Sequence, residues 1–191
     1  MKGCHHKSAD TIELFGRRQQ MGGIGIDTIS LLGIRHPIQN KIGLHKVWGQ
    51  YYRDGGLIVS DRYTTSNAVH QASKEPEQTR RDFFQWLYDL EYRHMELPVP
   101  DLVIYLDVPT QITEQLMRKR EECTHTHADI HEQNMEYLRR CRETGLQAAE
   151  YYGWTVIKCA KDGVLRTIED IHEEIYALVG HCLGEEPRRK D

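Results

Sequence analysis

Long apolar runs are missing from this 191-residue sequence. The strongest run, LVIYL at 102–106, is a handful of residues, whereas a helix needs roughly 20 to cross a bilayer. No apolar stretch follows the early lysine of the N-terminal segment MKGCHHKSAD, so no signal peptide is predicted. We therefore expect no membrane partner and a cytoplasmic location.

An excess of basic residues is also missing. The chain has 25 Lys and Arg against 29 Asp and Glu, which gives a net charge of -4. Proteins that bind nucleic acids by charge present a positive field to the phosphates. The composition therefore predicts no nucleic-acid partner.

The cysteines do not form the pattern of a disulfide framework. Five cysteines at wide, irregular spacing suit reduced thiols better than paired ones. Cys123 is followed by His125, His127 and His131, and these side chains are possible soft-metal ligands. A polar loop without metal is the alternative, and the sequence leaves it open.

A phosphate-binding glycine loop is the most consequential absence. The motif G-x-x-x-x-G-K-[ST] cradles nucleotide phosphates in P-loop proteins, but this sequence contains no Gly-Lys dipeptide. The glycine cluster MGGIGIDTISLLG at 21–33 has neither that lysine nor the third glycine of a dinucleotide-binding motif. Neither kind of phosphate site is predicted there.

From Trp48 onward, strand-like runs alternate with amphipathic helical stretches, the pattern of an α/β fold with a parallel sheet flanked by helices. Residues 1–47 show no sustained period, so they form an atypical N-terminal segment before one domain at 48–183 and a loose tail at 184–191. We expect strands at 57–60, 101–108 and 154–160, and helices after each of them. The stretch TTSNAVHQASK, which follows the first of these strands, is expected to form a short helix capped by Thr64 or Thr65. Thr167 is expected to cap the last helix.

Two charged residues directly follow the first of these strands. Asp61 and Arg62 lie where ligands bind in open α/β sheets, beyond the carboxyl ends of the strands. An aspartate there suits Mg²⁺ held through water, and an arginine fork suits two phosphate oxygens. In the alternative interpretation, Asp61 caps the next helix and Arg62 forms a surface ion pair.

The segment IVSDRYTTSNAVHQASK resembles the Asp-Arg-Tyr strand and helix of thymidylate kinases, which are nucleoside-monophosphate kinases of the P-loop class. The resemblance continues in order to about Val179. It includes the segments PDLVIYLDVP, RKREECTHTHADIHEQNMEYLRR and WTVIKCAKDGVLRTIEDIHEEI. These are similar to the family's next strand, its lid with the following helix, and its last strand, base loop and terminal helix.

The resemblance implies a P-loop kinase-like fold, incomplete at the N-terminus, and ATP-dependent phosphorylation of dTMP to dTDP with Mg²⁺. It also implies a homodimer. Asp61 would organise the Mg²⁺ and the reacting phosphates, and Arg62 would bind the thymidylate phosphate. Asn67, His70 and Gln71 share a helix face where the family holds the nucleoside, although His70 replaces an aromatic residue.

The ATP side of the site is implied in the same way. Arg118 and Arg120 correspond to lid arginines that clamp the transferring phosphate, with a solvated basic helix end as the alternative. Lys161, Asp162 and Gly163 correspond to the loop beside the adenine.

The missing phosphate loop leads to two further expectations. Its strand lies mid-sheet in the family, so a gap opens between the strands ending at Ser60 and around Ile104, unless GIGIDTISLL or another N-terminal segment fills it. Catalysis loses its phosphate cradle, so the chain alone is expected to be inactive. The alternative function is a non-catalytic, nucleotide-binding or dimer-forming remnant.

Overall fold

The computed structural model describes residues 11–15, 28–32, 44–124 and 135–184. For 13–15, 28–32 and 120–124 it describes the backbone alone. The proposed metal ligands His125, His127 and His131 lie outside the described residues, as does the side chain of Cys123. The tail from residue 185 onward also lies outside them.

Five strands form one sheet in the order β2-β3-β1-β4-β5, and a short hairpin joins β6 to β7. Their bounds are β1 Thr11–Phe15, β2 Thr28–Leu32, β3 Leu57–Asp61, β4 Leu102–Asp107, β5 Thr155–Lys158, β6 Ala160–Lys161 and β7 Val164–Leu165.

The central strand runs against its neighbours. β1 pairs antiparallel with both β3 and β4, whereas β2 is parallel to β3 and β4 is parallel to β5. The predicted α/β class is confirmed, with strands β2, β3, β4 and β5 all pointing the same way. The sheet is mixed rather than wholly parallel because an antiparallel strand also satisfies the backbone groups of both neighbours.

An N-terminal segment therefore fills the expected gap. The segment is TIELF at 11–15, whose register places Ile12 opposite both Asp61 and Ile104. Part of GIGIDTISLL forms β2 at the outer edge of the sheet, where it pairs with β3 and not between β3 and β4.

Six α-helices accompany the strands in the described part of the chain. They are α1 Gly49–Arg53, α2 Thr65–His70, α3 Arg80–Tyr88, α4 Thr110–Thr124, α5 Met135–Tyr152 and α6 Ile168–Leu183. π-Helical segments, Leu44–Trp48 and Asp89–His94, precede α1 and extend α3. Two short 3₁₀ segments, Ala72–Lys74 and Glu77–Thr79, connect α2 to α3. None of these described helices combines the length and apolarity that a membrane crossing needs.

Helices pack on both faces of the sheet. Tyr105 of β4 lies in an apolar cluster with Val69 of α2 and Cys141 of α5. The preceding residue, Ile104, lies in a second cluster, which Ile171 of α6 joins. Adjacent strand residues point to opposite faces, so α2 and α5 cover one face and α6 the other.

The two cap predictions have different outcomes. The Asp170 N–H donates to Thr167 Oγ1 at 3.1 Å, so the cap of α6 is confirmed. The predicted side-chain cap of α2 by Thr64 is wrong, because this N-cap residue makes no such bond, and Thr65, the other candidate, is the first residue inside the helix. The Thr64 hydroxyl instead shares a 2.5 Å hydrogen bond with the hydroxyl of Tyr92, and a buried hydroxyl takes the partner that tertiary packing supplies.

Candidate functional site

Asp61 and Arg62 lie at the carboxyl edge of the sheet, as predicted. Asp61 is the last residue of β3, where it pairs with Leu32 of β2 and Ile12 of β1. Because β2, β3, β4 and β5 point the same way, their carboxyl ends meet at this edge. Both Asp61 and Arg62 are partly buried, so neither side chain is simply a solvated surface group.

Arg62 has an unusual backbone conformation, with φ at 64°. Left-handed φ values are uncommon outside glycine, and such positions concentrate at functional sites with a cost of about 1–3 kcal/mol. The Arg62 N–H donates to the Thr11 carbonyl oxygen at 3.1 Å, which ties this turn to the first residue of β1. The backbone that presents the arginine is therefore fixed by the sheet.

Thr11 is a member of this edge that sequence reasoning missed. Its hydroxyl accepts a 2.9 Å hydrogen bond from Thr65 Oγ1, and both residues are buried. TIELF begins with β-branched residues and alternates polar with apolar side chains, as a strand does. Five residues are too few to distinguish that alternation from chance.

Asn67 contacts the segment after α3. Its Nδ2 donates to Glu91 Oε1 at 2.8 Å, and Glu91 is only 2% exposed. Buried polar groups are held by the hydrogen bonds that they make, so this contact fixes the orientation of the Asn67 amide.

His70 contacts α5 instead. Its ring stacks on Tyr137 with centroids 6.4 Å apart. Nδ1 lies 3.3 Å from the Tyr137 hydroxyl and 3.6 Å from Cys141 Sγ. Burial, with the neighbouring Cys141, raises the pKa of Tyr137 well above its ordinary value, so its phenol stays protonated and keeps a hydrogen to donate.

The three predicted nucleoside-binding residues therefore do not converge through their observed contacts. Asn67 faces Glu91 and His70 faces α5, while the exposed Gln71 accepts a 2.9 Å hydrogen bond from Lys74 Nζ. Asn67 and His70 share α2, as predicted, and Gln71 is the residue directly after it, but the side chains bond to partners on different elements.

The two arginines predicted to belong to a lid, Arg118 and Arg120, lie on α4. Arg118 is exposed and pairs with Glu114 one turn earlier at 2.5 Å, an ion pair of a kind worth about 0–1 kcal/mol. This exposed ion pair agrees with the alternative interpretation, in which Arg118 belongs to a solvated basic helix end. Arg120 also lies in α4, and only its backbone is described.

Residues Lys161, Asp162 and Gly163 form the tip of the β6–β7 hairpin. Asp162 and Gly163 have φ values of 51° and 78°, the two consecutive positive values typical of a tight hairpin turn. All three residues are exposed. Arg166, directly after β7, connects the hairpin to its neighbours. It donates to the Lys158 carbonyl oxygen of β5 at 2.9 Å and to Asp170 of α6 at 2.6 Å.

A second carboxylate at this edge was not predicted. Asp107 ends β4 and is buried, and it accepts two hydrogen bonds from Arg142 of α5, at 2.5 and 2.9 Å. The bonds to Asp107 raise the pKa of the Arg142 guanidinium. Sequence reasoning had the necessary signal, since Asp107 follows a strand just as Asp61 does.

The described residues contain no group of three side chains able to hold a metal ion. The carboxylate of Asp61 is a hard oxygen donor of the kind that Mg²⁺ takes. Mg²⁺ commonly completes its shell with water and substrate phosphates, so one protein carboxylate is compatible with such a site.

Comparison with known proteins agrees with this architecture. The family model for thymidylate kinase matches residues 43–175. A probable thymidylate kinase of Thermococcus onnurineus is 31% identical over 140 residues, which cover 73% of this chain and 60% of that protein. A probable thymidylate kinase of Pyrococcus horikoshii is 32% identical over 130 residues, covering 68% and 55%.

A bacterial relative gives the same result. The thymidylate kinase of Limosilactobacillus fermentum is 30% identical over 124 residues, covering 64% of this chain and 55% of that protein. The chain thus spans between about half and two thirds of the length of these relatives. The matched family segment extends over most of the chain, which therefore belongs to the thymidylate kinase family.

Proposed function

We propose that this chain carries the nucleoside-monophosphate site of a thymidylate kinase. The reaction is the ATP-dependent phosphorylation of dTMP to dTDP, and its transfer step depends on a phosphate loop that the 191-residue sequence does not contain. The observation that carries the proposal is the position of Asp61 and Arg62 at the carboxyl edge of the sheet, with Arg62 in a left-handed conformation.

Arg62 is the anchor for the phosphate of dTMP. A guanidinium can hold two phosphate oxygens at once, and the Thr11 carbonyl fixes the backbone that presents it. We assign Asn67, His70 and Gln71 to the nucleoside on the family resemblance. Asn67 and His70 lie on α2 and Gln71 directly follows it, and a bound nucleoside would compete with their present contacts to Glu91 and Tyr137.

The ATP side is the less complete half of the site. We assign Asp61 to Mg²⁺, Arg118 and Arg120 to the transferring phosphates, and the hairpin of Lys161, Asp162 and Gly163 to the base. The hairpin's exposed backbone supports the last assignment, because backbone groups at a turn are accessible to a ligand. Mg²⁺ held by Asp61 would supply positive charge that offsets the charge of the phosphates.

The direction of β1 favours a second function, nucleotide binding without turnover. A P-loop follows the carboxyl end of its strand and so reaches the ligand edge of the sheet. Here β1 starts at that edge with Thr11 and ends with Phe15 opposite Ile58, near the amino end of β3. β1 therefore ends at the edge of the sheet away from Asp61.

The experiment is calorimetric titration of the full chain with dTMP, beside a coupled assay of ATP consumption. We expect saturable dTMP binding and no dTMP-dependent ATP consumption. A folded protein that does not bind dTMP would exclude the proposed site. ATP consumption that requires dTMP would exclude the non-catalytic alternative.

Cytoplasmic location, the 48–183 domain and a homodimer complete the proposal, and they rest on the family resemblance. Sedimentation at several protein concentrations tests the dimer. A single monomeric species throughout would contradict it.

A further inference from the structure

A cavity of about 180 Å³ lies at the amino ends of β4 and β5. It is lined by the start of α2, the end of α3 with its π-helical extension, and the residues that lead into β4 and β5, and it is open to solvent on one side. None of Asp61, Arg62, Asn67 and His70 lines it. We call it the aromatic cavity, after the four rings described next.

The rings of Tyr88, Tyr92, Tyr152 and Trp154 form a connected wall of the cavity. Tyr152 stacks on Trp154 with centroids 5.4 Å apart and on Tyr88 at 6.3 Å. Tyr92 meets Tyr88 edge to face at 4.8 Å. The ring positions are fixed by these contacts and by a 2.7 Å hydrogen bond from the Tyr152 hydroxyl to the Phe84 carbonyl oxygen.

The charged residues lining the aromatic cavity are acidic. They are Glu91, buried and bonded to Asn67, and Asp101, which is exposed near the entrance beside Val99. No lysine, arginine or histidine is among its described lining residues. The hydroxyls of Thr64 and Thr65 add polar oxygens.

Aromatic rings and carboxylates together favour a positively charged ligand. The faces of aromatic rings attract cations, most strongly when the cation is shielded from water. The carboxylates attract the same ions and repel phosphates. The pKa of Tyr152 is raised by burial first and then by Tyr92 and Glu91, which agrees with surroundings that resist further negative charge.

We propose that the aromatic cavity binds a small organic cation of the alkylammonium class. Its volume of about 180 Å³ is below the roughly 300 Å³ at which pockets for drug-sized ligands begin, so the ligand is small. The cavity adjoins the proposed nucleotide site through the Asn67–Glu91 hydrogen bond, but its proposed ligand does not require that a nucleotide binds.

Choline and its neutral isostere 3,3-dimethylbutan-1-ol test the proposal by calorimetry on the full chain. The two molecules have nearly the same shape, so a difference in affinity reports charge. We expect choline to bind about tenfold more tightly, as a shielded cation–aromatic contact allows. Equal affinities, or no saturable binding of choline, would overturn the proposal.

Variants locate the binding. Trp154→Leu should weaken choline binding about tenfold, whereas Trp86→Leu, at a tryptophan that is 56% exposed on α3, should leave it unchanged. Asp101→Asn is the safer second variant because this side chain is exposed. It should weaken choline several-fold and leave the alcohol unaffected. Unchanged choline affinity in correctly folded Trp154→Leu and Asp101→Asn proteins would overturn the assignment to this cavity.

Discussion

The backbone N–H of Arg62 donates a 3.1 Å hydrogen bond to the carbonyl oxygen of Thr11. This bond joins Arg62, the proposed phosphate-binding residue, to the first residue of the antiparallel central strand. The geometry at the carboxyl edge therefore depends on β1, which comes from the part of the chain least similar to the thymidylate kinase pattern. Substitutions of Arg62 therefore test both the proposed phosphate site and its connection to β1.

Arg62→Ala is expected to weaken dTMP binding by about 2–4 kcal/mol, because it removes a charge-assisted contact with the phosphate. Isothermal calorimetry measures the change. Arg81→Ala, at an exposed arginine of α3, is the control and should bind dTMP normally. Equal affinity of the Arg62→Ala and unsubstituted proteins would reject the assignment.

Arg62→Gly should unfold at higher denaturant concentration than Arg62→Ala. Both variants lose the guanidinium, but only glycine adopts a φ of 64° without steric cost, a difference of about 1 kcal/mol. Equilibrium unfolding in urea compares the two proteins. If alanine is the more stable of the two, the left-handed conformation is not a source of strain.

Thr11 and Thr65 form a buried hydroxyl pair at 2.9 Å, which suits a double-mutant cycle. Thr65→Val removes the donor to Thr11 and should cost about 1–3 kcal/mol of unfolding free energy. Adding Thr11→Val should cost much less than Thr11→Val alone, because the pair is already broken. Strict additivity in urea unfolding would show that the two hydroxyls are not coupled.

Strands β3, β4 and β5 and helix α6 could be predicted from sequence because each has a strong local signal. The runs that became β3 and β4 are rich in apolar residues, several of them β-branched or aromatic, and Thr167 precedes two acidic residues of the first turn of α6. These signals depend on neighbours within a few residues. They therefore survive without knowledge of the tertiary structure.

The direction of β1 could not be predicted in the same way. A five-residue strand carries no information about which neighbours it pairs with, and either direction satisfies the hydrogen bonds of β3 and β4. The side chains of α2 show the same limit. Helical spacing places Asn67 and His70 on one face, but Glu91 and Tyr137 determine where each one points.

Cys159 should be unreactive toward iodoacetamide at pH 8 in the folded protein. Burial raises the pKa of its thiol to about 11 from an ordinary value of 9.0, which leaves about one thiolate in a thousand at that pH. Cys182, which is more accessible than Cys159, should be labelled before it. Mass spectrometry of the digested protein gives the order, and rapid labelling of Cys159 would contradict its burial.

The raised pKa of Cys159 also makes the free energy of unfolding depend on pH. The folded state holds the thiol proton more tightly than the unfolded state does. The stability contributed by the protonated thiol is therefore fully present below about pH 9 and is lost as the pH rises toward 11. Cys159→Ala should show a smaller loss of unfolding free energy over that window, and an identical pH profile in both proteins would contradict the shift.

The last prediction concerns turnover. In P-loop kinases the loop's amide hydrogens and lysine hold the ATP phosphates, and removal of one preorganised donor typically slows catalysis by about 100- to 1000-fold. This sequence contains no Gly-Lys dipeptide, and its central strand leads away from the ligand edge. The 191-residue chain should therefore show no dTMP phosphorylation above background.

A chimera with a family-type strand and phosphate loop in front of Trp48 should regain activity, because that strand would run parallel to β3 and place its loop beside Asp61. Loss of activity again on Arg62→Ala in the chimera would show that the restored loop acts on the same site. Robust turnover by the unmodified chain would show that the phosphates are held by groups other than a P-loop.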